Sequence, residues 1–165
     1  MSTLTLRPTL PGRILPALAV VIALGAVGAA LYTQHMLDMQ PCAWCVLQRV
    51  IFVAIALAAL PALLVRARPA QWFSGLLMGA LALCGVAAAL WQHFVAASSQ
   101  SCNLTLADRI VGGLGLDNLL PQVFAAYASC ADAATRLVGV PYEFWSLALF
   151  VLLLLLAMPL LRRRR

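Results

Sequence analysis

Four long apolar runs, separated by polar and charged segments, organise this chain. Ile14–Leu31 has no polar side chain, and Val46–Val65 is apolar apart from Gln48 and Arg49 near its start. Trp72–Leu90 carries a single serine, and Phe144–Leu161 contains the nearly pure leucine stretch Val151–Leu156. At ~1.5 Å per residue, each run is long enough to cross about 30 Å of hydrocarbon. Backbone groups in lipid must be paired within their own segment, so the runs are expected to be helices. The pattern predicts an all-α integral membrane protein. Residues 1–165 form one four-transmembrane-helix bundle, with spans of about 14–31, 46–65, 72–90 and 144–161. Gly75 and Gly79 put two small residues on one face of the third helix, which suits close helix contact.

Two loops, about 32–45 and 96–141, fall on one side of four crossings and are termed outer. In the longer one, Leu104, Leu106, Ile110, Val111, Leu114, Leu116, Leu119 and Leu120 are spaced among Asp108, Arg109 and Asp117. That spacing predicts a short helix along the membrane surface, broken into pieces at Gly112, Gly113 and Gly115.

Composition agrees. Apolar residues make up 64% of the chain, against about 45–50% in soluble domains. Charged residues make up 10%, against a usual ~25%. With a mean hydropathy of +0.99, soluble, disordered and coiled-coil classes are excluded. A net charge of +6 in a soluble protein would raise nucleic-acid binding, but here the charges sit at the ends of apolar runs, so no nucleic-acid partner is expected. Arg7, Arg13, Arg66, Arg68 and Arg162–Arg165 all fall on one side, while Asp38, Asp108, Asp117, Asp132 and Glu143 fall on the other. The positive-inside rule then places both termini in the cytoplasm. The first apolar run has 18 residues, more than the ~7–15 of a signal core, and is read as an uncleaved helix.

Four of the five cysteines, Cys42, Cys45, Cys102 and Cys130, lie in the outer loops, where disulfides are the default. Cys84 falls within the third run and is expected to be a small buried residue. Cys42-Ala43-Trp44-Cys45 is a CxxC at a helix start, preceded by Pro41. Peptide N–H groups and the helix dipole stabilise a thiolate there. As a plain staple it would add only about 2 kcal/mol. Half of a zinc site is the other alternative, but Cys102 and Cys130 are 28 positions apart rather than at ribbon spacing. Spacing and compartment favour redox chemistry, and no metal is expected. Cys102 and Cys130 could close a structural disulfide worth roughly 3–4 kcal/mol. Beside a CxxC on the same side they could equally pass electrons by thiol–disulfide exchange.

Arg49 lies four residues after Cys45 on the same helix face. A guanidinium within a span is costly and points to an anionic partner, the Cys45 thiolate or a reduced ligand beside it. Snorkelling to head groups is the alternative. His93 sits at a similar outer depth, as a ligand, a proton donor or a polar anchor. Trp72, Trp91, Trp145 and Tyr142 read as an interfacial belt, and Trp44 as a residue tuning access to the CxxC.

The run Pro41-Cys42-Ala43-Trp44-Cys45-Val46-Leu47-Gln48-Arg49 resembles the PCxxCxxxR motif of the disulfide-bond formation protein B (DsbB) family. Gln92-His93 after the third helix and Pro121-Gln122-Val123-Phe124 before Cys130 extend the resemblance over nearly the whole chain, with Ser98–Gly115 the most divergent part. The resemblance implies a quinone-dependent protein-disulfide oxidoreductase of the bacterial inner membrane. Such a protein reoxidises a periplasmic DsbA-type thiol oxidase and passes the electrons to ubiquinone or menaquinone. By position, it implies that Cys102 forms the mixed disulfide with the partner, that Cys130 is its pair and exchanges with Cys42, and that Cys45 faces the quinone with Arg49 in support. His93 matches a position linked to quinone binding. Two other readings compete. In vitamin K epoxide reductase-like enzymes the loop pair precedes the CxxC, whereas here it follows. A non-enzymatic four-helix metal-binding or scaffold protein is the other.

Overall fold

The computed structural model describes residues 13–65, 67–96, 105–133 and 135–161. Arg7, Arg66, Arg162–Arg165, Leu104 and Cys102 lie outside the described residues. Four helices dominate: α1 (Ile14–Met36), α2 (Ala43–Leu64), α3 (Arg68–Phe94) and, last in the chain, α7 (Tyr142–Leu161). All four are long and apolar enough to span a membrane. Each run therefore folds as expected, but three of the helices outrun their apolar cores by more than two residues. The first continues through Tyr32–Met36 and the second begins at Ala43 rather than Val46, so the first outer loop is shorter than the predicted 32–45. Hydropathy marks only the lipid-facing part of a helix, whereas backbone hydrogen bonding carries on into polar residues buried at the end of the bundle.

The bundle is held by α2, which supplies the largest share of the core, including Ile55, Ala59 and Ala62. Helix α3 packs closely on α7. A side chain at Gly75 would place its Cβ 2.8 Å from that of Leu160, and one at Gly85 would run into the Phe150 ring. Phe150 is itself stacked on Phe52 of α2, with ring centroids 4.1 Å apart. The small residue Gly75 thus allows the close contact that its spacing predicts. Cys84 departs from expectation: it lies on the exposed face of α3 rather than in the core. In a run that is apolar on every side, hydropathy does not say which face meets lipid.

The long outer segment carries three short helices, α4 (Leu106–Gly113), α5 (Leu116–Leu119) and α6 (Pro121–Phe124). The first starts with a capping box in which Thr105 Oγ1 accepts from the Asp108 N–H and Asp108 returns the bond to the Thr105 N–H. Ala107 and Val111 turn inward, whereas Leu106, Ile110 and Leu114 stay exposed, as expected of a helix at the membrane surface. Gly115 has φ +65° and makes the break between α4 and α5. A two-stranded hairpin, β1 (Arg136–Leu137) with β2 (Val140–Pro141), follows and was not anticipated from the pattern. Its turn holds Val138 at φ 54° and Gly139 at φ 80°.

Candidate functional site

The α2 N-terminus gathers the sulfur atoms. Cys42 is the N-cap residue, extended at φ −87° and ψ 171°, and fully buried. One turn on, Cys45 brings its sulfur to 3.3 Å from that of Cys42, with both as thiols. The outer segment is tied down beside them. The Tyr127 and Ala128 N–H groups donate to the Pro41 carbonyl at 3.0 and 3.3 Å. That places Cys130 within hydrogen-bonding reach of Cys42 and of the Trp44 N–H in the first turn of α2. Three of the four predicted redox cysteines therefore share one site. The fourth, Cys102, falls outside the described residues.

The two sulfurs outside the helix differ in acidity. The Cys42 thiol is held far above its ordinary value, because it donates to Cys130 and to Cys45 and is buried. The Cys130 thiol is lowered, by the Cys42 hydrogen bond first and by the Trp44 N–H as well, against an opposing cost of burial. Of the two, Cys130 is therefore the more easily ionised thiol.

Arg49 is only 5% exposed, so it does not snorkel. Its Nη1 donates to Gln34 Oε1 at 2.6 Å and to the Val123 carbonyl at 2.9 Å, and its Nη2 to the Ala30 carbonyl at 3.4 Å. These contacts link α2 to α1 and to the segment leading to Cys130. All three acceptors are neutral, and the buried Nε–H has no acceptor among the described residues. Cys45 and Arg49 both line a cavity of about 190 Å³ between α1, α2 and α7. Its walls are apolar at Ala26, Ala30, Phe52 and Leu149, and polar towards Thr33, Gln92 and Glu143.

His93 stands one step away from this cavity. Its Nδ1 lies 2.7 Å from Glu143 Oε1, and it is Glu143 that lines the space. Tyr142 and Trp145, expected in an interfacial belt, also line it, and Tyr142 meets Thr33 hydroxyl to hydroxyl at 3.2 Å. Trp44 is buried, with its ring centroid 6.3 Å from that of Trp91. Gln34, Gln92 and Glu143 were not singled out as site residues from the sequence. The available signal was a polar side chain in the last turn before or after an apolar run.

Comparison with known proteins supplies the wider context. A family model described as disulfide bond formation protein DsbB matches residues 12–160. A disulfide bond formation protein B from Ralstonia nicotianae is 37% identical over 151 residues, covering 90% of this chain and 93% of that protein. Another from Cupriavidus metallidurans is 33% identical over 152 residues, covering 90% and 92%. A third, from Pseudomonas syringae pv. tomato, is 33% identical over 146 residues, covering 88% and 86%.

Proposed function

This chain belongs to the disulfide bond formation protein B family, and on that premise we propose that it reoxidises a periplasmic DsbA-type thiol oxidase and passes the electrons to a membrane quinone. The observation that carries the reading is the position of Cys45, which belongs both to the sulfur cluster and to the wall of an apolar cavity.

The partner's thiolate attacks Cys102 of a Cys102–Cys130 disulfide, so that bond breaks and Cys130 leaves as a thiolate. The partner's second thiol displaces Cys102 and departs oxidised. Cys130 attacks Cys42 of a Cys42–Cys45 disulfide, forming Cys42–Cys130 and expelling Cys45 as a thiolate. The lowered pKa of Cys130 and its contact with Cys42 support that order. The Cys102 thiolate then attacks Cys130, restoring Cys102–Cys130 and releasing Cys42 beside Cys45. Closing Cys42–Cys45 again releases two electrons and two protons.

Ubiquinone or menaquinone, when bound, accepts those two electrons and two protons. The cavity suits a quinone head group in its chemistry: apolar walls, the Cys45 sulfur among the lining groups, and a cation whose Nε–H is unused among the described residues. Arg49 stabilises negative charge developing there. Glu143 presents a carboxyl to the same space, and His93 holds it in place. The reading puts the protein in the bacterial inner membrane, with the cysteine loops periplasmic and both termini cytoplasmic by the arginine distribution.

The test is purified protein with a reduced DsbA-type partner and a short-chain ubiquinone, followed by quinone absorbance. Quinone should be reduced in step with partner oxidation, and Cys45→Ser should abolish it. Partner oxidation with no quinone consumed would exclude the reading. Reporter fusions after Arg68 and after Ser129 should report opposite sides of the membrane.

A further inference from the structure

Two glutamines buried inside the bundle form a chain that ends on a reacting atom. Gln48 of α2 is 3% exposed and Gln92 of α3 is 5% exposed. Gln48 Nε2 donates to Gln92 Oε1 at 2.7 Å, and Gln92 Nε2 donates to the Cys45 sulfur at 3.2 Å. A carboxamide has an acceptor at one end and donors at the other. With the acceptor end taken by Gln48, the donor end of Gln92 is the one turned to sulfur. A buried amide pair at this depth is costly unless it is fully engaged.

We propose that Gln92 is a catalytic residue of the thiol chemistry, stabilising Cys45 as the leaving thiolate, and that Gln48 is the positioning residue that fixes its amide. When a thiolate attacks Cys42, the Cys42–Cys45 bond breaks and its electron pair moves onto Cys45. No proton is needed at that moment, because the Gln92 N–H already points at the sulfur where charge develops. A stabilised leaving thiolate departs faster. The donor is also set in advance, so it costs no reorganisation during the step. The amide is neutral and adds no charge of its own, so Arg49 stays available to the cavity. This inference rests on the thiol exchange proposed above but not on the quinone.

The experiment uses full-length, quinone-free protein in which Cys45 is the sole thiol, the other four cysteines being replaced. Alkylation of Cys45 by iodoacetamide is measured at neutral pH and at a pH high enough to ionise it fully. The high-pH rate reports access and the ratio of the two rates reports the thiolate fraction, so a merely structural role leaves the ratio unchanged. Gln92→Leu should lower the ratio roughly tenfold, the scale of one hydrogen bond to a charged group. Gln92→Glu keeps the size but presents an acceptor, and should lower it further. Gln48→Leu should lower it less than Gln92→Leu, and the double variant no further than Gln92→Leu alone. A ratio within twofold of the parent in both Gln92 variants overturns the proposal, whatever happens to yield or melting. If Gln92→Leu does not fold, Gln92→Glu and Gln48→Leu decide it by the same ratio. Neither partner nor quinone is present, so failure here leaves the quinone reading standing, and failure of quinone reduction leaves this result valid.

Discussion

Replacing Arg49 separates its charge from its shape. The guanidinium makes two short bonds from one nitrogen, to Gln34 and to the Val123 carbonyl, and a longer one from the other to Ala30. Arg49→Lys keeps the charge, but a single ammonium on a shorter stem cannot occupy the Nη1 and Nη2 positions together, so at least one of the three bonds is lost. The lost bond is charge-assisted and worth about 1.5–3 kcal/mol. That loss has two readouts. The Val123 bond holds the segment leading to Cys130, so melting in detergent should fall in both Arg49→Lys and Arg49→Gln. If the cavity takes a quinone as proposed, the charge facing it favours binding, so Arg49→Gln should raise the KM for quinone by roughly ten- to a hundredfold, the same energy range expressed as affinity. Arg49→Lys should fall between Arg49→Gln and the parent. The assay is steady-state turnover against quinone concentration at saturating reduced partner. If KM stays within about twofold in both variants, a spread too small for one such bond, the buried cation serves only to dock the loop.

Four further outcomes follow from the geometry. In fully reduced protein, Cys130 should be alkylated well before Cys42 around neutral pH, because one thiol is lowered and the other raised and buried; equal rates would remove the assigned order of attack. The lowered Cys130 adds stability above its unfolded value that is lost as pH falls through its folded value, whereas the raised Cys42 adds stability that is lost as pH rises, so reduced protein should melt highest between the two. Gly85→Ala drives a methyl into Phe150, which is fixed against Phe52, and should cost about 1–3 kcal/mol in thermal melting. Val138→Asn should raise stability by about 0.5–1 kcal/mol, since a β-branched residue at φ 54° beside Gly139 occupies a turn that favours Asn-Gly.

The four spans were legible because a membrane asks one simple thing of a segment: about twenty residues of apolar helix. Cys42, Cys45, Cys130 and Arg49 stand out in the sequence because each breaks a pattern, as thiols grouped where disulfides are expected or a cation inside a span, and the structure gathers these four at one end of the bundle. The hairpin was not, since its two-residue strands carry no period, and Val138 is a poor residue for its turn. Cys84 was misplaced for the opposite reason, a helix apolar on all sides giving no clue to its buried face.

What was hardest to see has a common location. Thr33 and Gln34 follow the first apolar run, Gln92 and His93 follow the third, and Tyr142 and Glu143 precede the fourth. Each lies in a turn that hydropathy assigns to a loop and the structure assigns to a helix. Polar side chains there need not be paired with lipid in mind, since they pair with one another at the end of the bundle. Thr33 meets Tyr142, Gln34 meets Arg49, Gln92 meets Gln48 and His93 meets Glu143. None of these pairings follows from spacing along one helix, because each joins two different elements. The helical ends just past the apolar runs are therefore where an apolar bundle can hold a polar site. The proposed electron path, from a water-soluble thiol to a lipid-soluble acceptor, needs its chemistry at that depth, where Cys45 meets the cavity.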